Sequence, residues 1–226
     1  MNQTRVKTVS MVFGFLGVTA LLLLHYMVFF WVPTESSMGI VQRIFYIHVP
    51  SWWVAFIAFG GVALCGGMYL WLGDDRLDAA AVTAAEGGMI FTSIGLLTGP
   101  LWGKIAWGAW WTWEPRLTLA LLLWFIYLGY FLVRKSTLNP EKGKKLAAVV
   151  GIVGVLDIPL IHVSVSWLRS LHPEAVVLNP DGPTLEGSML ATLMVGLLAY
   201  TLVFVSLFTV RYSAELVDRA TQIQDV

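Results

Sequence analysis

The 226-residue chain is 58% hydrophobic and 12% charged, has a mean hydropathy of +0.75, and balances 14 basic residues against 14 acidic ones. This mix excludes a soluble domain, and the lack of a basic run interleaved with aromatics excludes a nucleic-acid partner. Apolar runs of about 20 residues, each long enough to cross a hydrocarbon core, recur along a length that holds one membrane domain.

Six spans are predicted, at 9–32, 47–72, 79–101, 117–134, 145–165 and 188–211. Their apolar character is continuous and does not alternate over ten-residue stretches, so they read as helices and not as barrel strands. The expected fold is an all-α integral membrane protein, a single domain over 1–226 built as a bundle of six transmembrane helices. The first run is too long for a cleaved signal and has no small-residue cleavage site, so it is expected to stay as an anchor. His25, inside it, is of the kind that bonds a neighbouring helix. The second span opens with "FYIHVPSWW", which puts His48 at its start and Pro50 in its first turn. Glu86 in the third is expected to bond between helices.

Between the third and fourth spans, "WGKIAWGAWWTWEPRLT" puts five tryptophans into twelve positions of an external loop over 102–116. Trp107, Trp110 and Trp111 fall at i, i+3 and i+4, which reads as an amphipathic loop or short helix; as a helix, ended by Pro115, it would carry one aromatic face along the membrane surface. In the fifth span, "DIPLIHVSVSW" has a kinked, polar point at Asp157 and Pro159, with His162 near one end. The loop after it, "SWLRSLHPE", brings His172, and the sixth span follows.

Lys and Arg counted on the two sides divide ten to four with the N-terminus cytoplasmic, five of the ten coming from "RKSTLNPEKGKK". Both termini are therefore expected inside and the tryptophan loop outside. "GDDRLD" is an acidic loop on the basic side, but acidic residues weigh little in this rule. Nine tryptophans then fall at the outer side and one, Trp71, at the inner. An interfacial belt would be two-sided, although a belt or a purely lipid-binding helix stays open as a reading. An aromatic shelf suits a flat apolar ligand such as a quinone, a sterol or a porphyrin. His48 and His172 share the shelf's side, and two imidazoles facing it are what a six-coordinate heme needs. Each alone serves equally well as a helix cap or a loop bond, and His162 is an alternative ligand or a support.

Other chemistries are excluded. Cys65 is the sole cysteine, so there is no C-x-x-C-H heme attachment, no disulfide within the chain and no cysteine zinc site. In "TGPLWGKI", Thr98 and Ile105 stand where a phosphate loop needs glycine and Ser or Thr, so the chain itself does not hydrolyse ATP. No histidine pair has metalloprotease spacing and no serine sits in a nucleophile elbow.

"AWGAWWTWEPRLT" resembles the tryptophan-rich signature of the heme-handling membrane proteins of cytochrome c biogenesis. With "YIHVPSWW" before it and "IHVSVSWLRSLH" after it, the chain from about 40 to 210 is similar to the six-span maturation C branch of that family. The resemblance implies a heme-binding subunit of the cytoplasmic (inner) membrane that presents heme b, non-covalently bound and in transit, at the outer face. His48 and His172 correspond to axial iron ligands. Heme would pass to a periplasmic heme chaperone, cytochrome c maturation protein E, beside the ATPase and membrane subunits of an ABC transporter and a small membrane peptide. That describes a heme transporter and chaperone subunit more than an enzyme.

On this reading Trp102, Trp107, Trp110, Trp111 and Trp113 cover the porphyrin. Lys104 and Arg116, with Arg43 or Arg169, pair with its propionates. Glu114, where most members have Asp, orients an indole N–H or an arginine. Two related readings are a cytochrome c heme lyase and a bis-histidine redox cytochrome. The lyases share the signature but are generally much longer. The cytochrome would need a second heme or a quinone site, and the inner half offers no histidine pair for one.

Overall fold

The computed structural model describes residues 3–168, 170–173, 176–177 and 182–224, and among these every regular element is helical. Seven α-helices run in chain order: α1 (Gln3–Tyr26), α2 (Phe45–Leu72), α3 (Asp75–Ala106), α4 (Pro115–Ser136), α5 (Pro140–Val155), α6 (Asp157–Trp167) and α7 (Gly187–Gln224). Taking α5 and α6 as one interrupted rod, six helices are long and apolar enough to cross a membrane.

Local chemistry sets the ends. A π-turn at Met27–Trp31 extends α1, closing with Val32 N–H on the Met27 carbonyl at 2.8 Å. Val32 is then extended, as a residue before proline must be. A 3₁₀ turn at Ile40–Ile44 leads into α2, so Pro50 lies more than a turn inside the helix and not in its first turn. Gly73, at φ +70°, ends α2 in the left-handed conformation open to glycine. Asp74 then caps α3 by accepting from Arg76 N–H, and Asn139 caps α5 by accepting from Lys142 N–H. Leu156 interrupts the fifth rod, and Asp157 opens α6 with Pro159 in its first turn, as the kinked point in the sequence predicts.

The main core surrounds α2, whose Val54, Ala55, Ala58, Phe59 and Val62 are fully buried against α3, α4 and α5. Phe59 stacks on Tyr127 of α4 with ring centroids 3.6 Å apart, and a methyl on Gly88 of α3 would strike the Phe59 ring. With lipid as solvent there is little hydrophobic drive between helices, so close approach at small residues and interhelical hydrogen bonds take over. The pairing of α1 with α7 illustrates this. A methyl on Gly17 would meet Val203, and the Ser206 hydroxyl donates to the Ser10 carbonyl at 2.8 Å.

At the end of the bundle away from the tryptophan loop, Asp78 of α3 is buried and accepts from Arg134 of α4 and Arg219 of α7. Lys144 bridges Asp75 and Glu141, and Glu86 pairs with Arg211 of α7 at 2.6 and 2.9 Å, the interhelical bond expected of it.

Candidate functional site

At the opposite end the expected geometry needs correction. The helix α3 runs on to Ala106, so Trp102 and Lys104 sit on it and not in a loop. Residues 107–114 form an irregular connection, not a short amphipathic helix. Gly108 at φ +76° and Trp113 at φ +54° both take left-handed backbone, which an α-helix cannot hold. Pro115 begins α4 in place of ending a helix: its missing N–H costs nothing at the first helical position.

Three rings are seated by a stripe of glycines on α3 at positions 95, 99 and 103. A methyl on Gly95 would come within 2.6 Å of the Trp52 indole, one on Gly99 within 3.3 Å of His48, and one on Gly103 within 3.1 Å of Trp107. The repeat "GLLTGPLWG" was the sequence signal for this, a small-residue spacing of four that lets a neighbour approach the backbone.

His48 is buried, and its Nδ1 lies 2.9 Å from the Thr98 hydroxyl. That hydroxyl also lies 2.8 Å from the Ile94 carbonyl, and with its proton there it accepts from His48, the arrangement in which Nδ1 carries the hydrogen. The Nε2 atom is left with its lone pair. Thr98, which sequence reading used only to reject a phosphate loop, thus holds the Nδ1 side of the ring. His172 reaches the same state by another route, since its Nδ1 sits 3.0 Å from the Pro173 carbonyl, which only accepts. The Trp102 ring packs on both, its centroid 6.2 Å from each imidazole, and Trp107 is 6.3 Å from His172.

Burial, then the positive charge of Arg116, hold the His172 pKa down from 6.5 to about 4 against the bond to Pro173. A folded-state value below the unfolded one means that the unfolded chain binds the extra proton first. The stabilisation is therefore full above pH 6.5 and is lost as pH falls toward 4. Titration of apoprotein tryptophan fluorescence is expected to show a midpoint near pH 4, where imidazolium forms beside Trp102 and Trp107, and His172→Ala is expected to abolish it. A midpoint near pH 6.5 in the wild type would mean that the ring is not held in this packed position.

Among the described residues, several polar atoms here are buried with no hydrogen-bond partner: the indole N–H groups of Trp102 and Trp111, the Thr112 hydroxyl and Glu114 Oε1. Orphaned buried groups are uncommon in a finished interior, and the three donors among them, the two indoles and the hydroxyl, suit a ligand that brings acceptors. Arg116 is half-buried and, among the described residues, makes no hydrogen bond, although its charge reaches both imidazoles and Glu114. Glu114 turns to the histidine segment and not to an indole or an arginine: Oε2 accepts from the Ser170 hydroxyl at 2.8 Å and from Leu171 N–H at 2.6 Å.

Other candidates lie apart. Trp111 and Trp113 pack edge to face, and Trp110 and Trp113 are exposed, with no ring contact to either histidine. Lys104 bonds the Gly108 carbonyl at 3.0 Å. Arg43 stacks on Phe29 and lines, with His25, a separate apolar crevice of about 240 Å³ between α1 and α2. Arg169 lies outside the described residues. His162 reaches the site only through an aromatic chain, packing on Phe56, which packs on Trp52. Asp157 is buried with Oδ2 unpartnered.

Comparison with known proteins is specific. A family model described as heme exporter protein C matches residues 2–226. The heme exporter protein C of Bradyrhizobium diazoefficiens is 36% identical over 188 residues, 83% of this chain and 71% of that one. That of Haemophilus influenzae is 32% identical over 81% of this chain and 75% of its own length. A ccmC-like mitochondrial protein of cytochrome c biosynthesis from Arabidopsis thaliana is 31% identical over 86% of this chain and 72% of its own.

Proposed function

The chain belongs to the heme exporter protein C family, and from that premise we propose that it binds heme b without covalent attachment between His48 and His172 and hands it to a periplasmic heme chaperone. The observation that carries this reading is the matched pair of imidazoles. Both have Nδ1 engaged by an oxygen, neither has an Nε2 bond among the described residues, and both pack on the buried ring of Trp102. An iron ligand through Nε2 needs a neutral ring with the hydrogen on Nδ1, and an acceptor on that other nitrogen raises its basicity.

The remaining residues have roles in the same reading. Trp102 and Trp107, beside the histidines, offer apolar faces to a porphyrin, with Trp111 next along the loop. Arg116 and the free indole N–H groups of Trp102 and Trp111 suit anionic propionates. Trp110 and Trp113, exposed on the loop, suit the membrane surface or the docking partner. Sited at one end of the bundle, the cargo stays within reach of a soluble acceptor. We place this end outside the cytoplasmic membrane, with both termini within, from the charge asymmetry of the loops. The ATPase and membrane subunits of an ABC-type transporter, with a small membrane peptide, are its proposed partners, and cytochrome c maturation protein E is the proposed acceptor.

Transfer tests the reading. Protein purified in mild detergent and loaded with hemin is mixed with the soluble domain of the acceptor, and the two are separated by size. Heme absorbance is expected to move to the acceptor fraction. Heme that stays with the membrane protein at every acceptor concentration would refute a delivery role.

A further inference from the structure

We propose that Glu114 is a positioning residue, one that holds the His172 segment against the tryptophan loop; its effect on heme rests on the reading of His172 as an iron ligand. As the residue before α4, Glu114 occupies an N-cap, yet its side chain makes no cap bond. Its backbone carbonyl still starts the helix by accepting from Thr118 N–H at 3.0 Å. The carboxylate points across to a segment more than fifty residues away in sequence.

There one oxygen accepts two hydrogen bonds, from the Ser170 hydroxyl at 2.8 Å and Leu171 N–H at 2.6 Å. The Ser170 oxygen in turn accepts from the His172 backbone N–H at 3.1 Å. Carboxylate, hydroxyl and amide thus form a relay that ends on the backbone of the histidine itself. Glu114 is 7% exposed, so these charge-assisted bonds are largely shielded from water. The neighbouring Trp113, at φ +54°, is held in left-handed backbone immediately before this residue, a conformation that a large side chain adopts only under constraint.

Among the described residues the relay supplies what the segment otherwise lacks. Leu168 ends α6 with its N–H on the Ser164 carbonyl, and beyond it the His172 imidazole bonds its own neighbour, Pro173. Ring contacts to Trp102 and Trp107 orient the imidazole, but the backbone is located by Glu114. Length matters as well as charge. An aspartate is shorter by one methylene, whereas Gln keeps both the reach and a carbonyl oxygen that can accept the same two donors.

Amide exchange of the 168–173 peptide in apoprotein, paired with the optical spectrum after hemin loading, separates the possibilities. In Glu114→Ala the Leu171 amide is expected to exchange on the order of ten- to a hundredfold faster, and Glu114→Gln to stay close to wild type. With hemin, Glu114→Ala is expected to lose the six-coordinate spectrum as His172→Ala does, and the double variant to lose no more than His172→Ala alone. Unchanged exchange in Glu114→Ala would overturn the proposal, as would a retained six-coordinate spectrum. So would an additive further loss of heme in the double variant, which would make Glu114 a direct heme contact. If His172→Ala itself keeps the six-coordinate spectrum, the ligand reading falls, and the exchange comparison in apoprotein decides the positioning role by itself.

Discussion

Alanine in place of either His48 or His172 is expected to convert a six-coordinate low-spin heme spectrum to a five-coordinate one and to weaken hemin binding by more than a hundredfold. The magnitude follows from comparison with outer-shell partners, whose loss at metal sites lowers affinity by about ten- to a hundredfold; a direct ligand exceeds that, and a hundredfold is about 2.7 kcal/mol. Thr98→Val offers the outer-shell case in the same molecule. It removes the acceptor that holds His48 Nδ1–H but leaves the ring, so a loss of about ten- to a hundredfold with six-coordination retained is expected. The double histidine variant should hold no heme in detergent. Hemin titration followed optically gives all four results. Spectra of both single variants identical to wild type would refute the assignment and return the tryptophans to an interfacial or partner-binding role.

That His48 and His172 meet at one end of the bundle was legible in sequence because both fall on one side of the predicted topology. Thr98 and the glycines at 95, 99 and 103 were in plain view, yet they act through the face they present to α2, and that pairing is tertiary. The tryptophans were over-read as a single shelf. Their i, i+3, i+4 spacing is a helical signal only if the backbone is helical, and left-handed residues at 108 and 113 break it. The chain therefore sorts the five rings, with Trp102 buried against both imidazoles and Trp110 and Trp113 turned out. Glu114 shows the same limit: its bonds reach Ser170 and Leu171, a contact that no local pattern encodes. The spans were the most legible feature, because lipid leaves a backbone little choice but the helix. Even so, polar loops gave no sign of how far each helix runs past the apolar run, as α3 does to Ala106.

Asp78→Ala is expected to lower stability by about 3 kcal/mol, at the low end of what breaking a buried ion pair costs. The carboxylate is 2% exposed, and Arg134 binds it through both terminal nitrogens at 2.7 and 2.5 Å while Arg219 binds at 2.8 Å. Removing it strands the Arg134 guanidinium and takes one partner from that of Arg219, groups that are themselves only 17% and 18% exposed. Arg219 keeps Glu215 and the Asp75 carbonyl, which is why the low end applies. For a chain of this length the loss corresponds to a melting temperature about 6–12 °C lower, measured by differential scanning in mild detergent. Glu86→Gln is the contrast, because its partner Arg211 is 40% exposed and such half-solvated pairs contribute about 1 kcal/mol or less. The site end should be untouched, so hemin binding by Asp78→Ala below its melting temperature should match wild type. An unchanged melting temperature would show that the cluster does not tie α3, α4 and α7 together. The acidic "GDDRLD" loop, a dissent from the charge rule in sequence, has a physical role on this account: its Asp75 and Asp78 are the counterions of Lys144, Arg134 and Arg219, basic residues on which the predicted orientation of the chain rests.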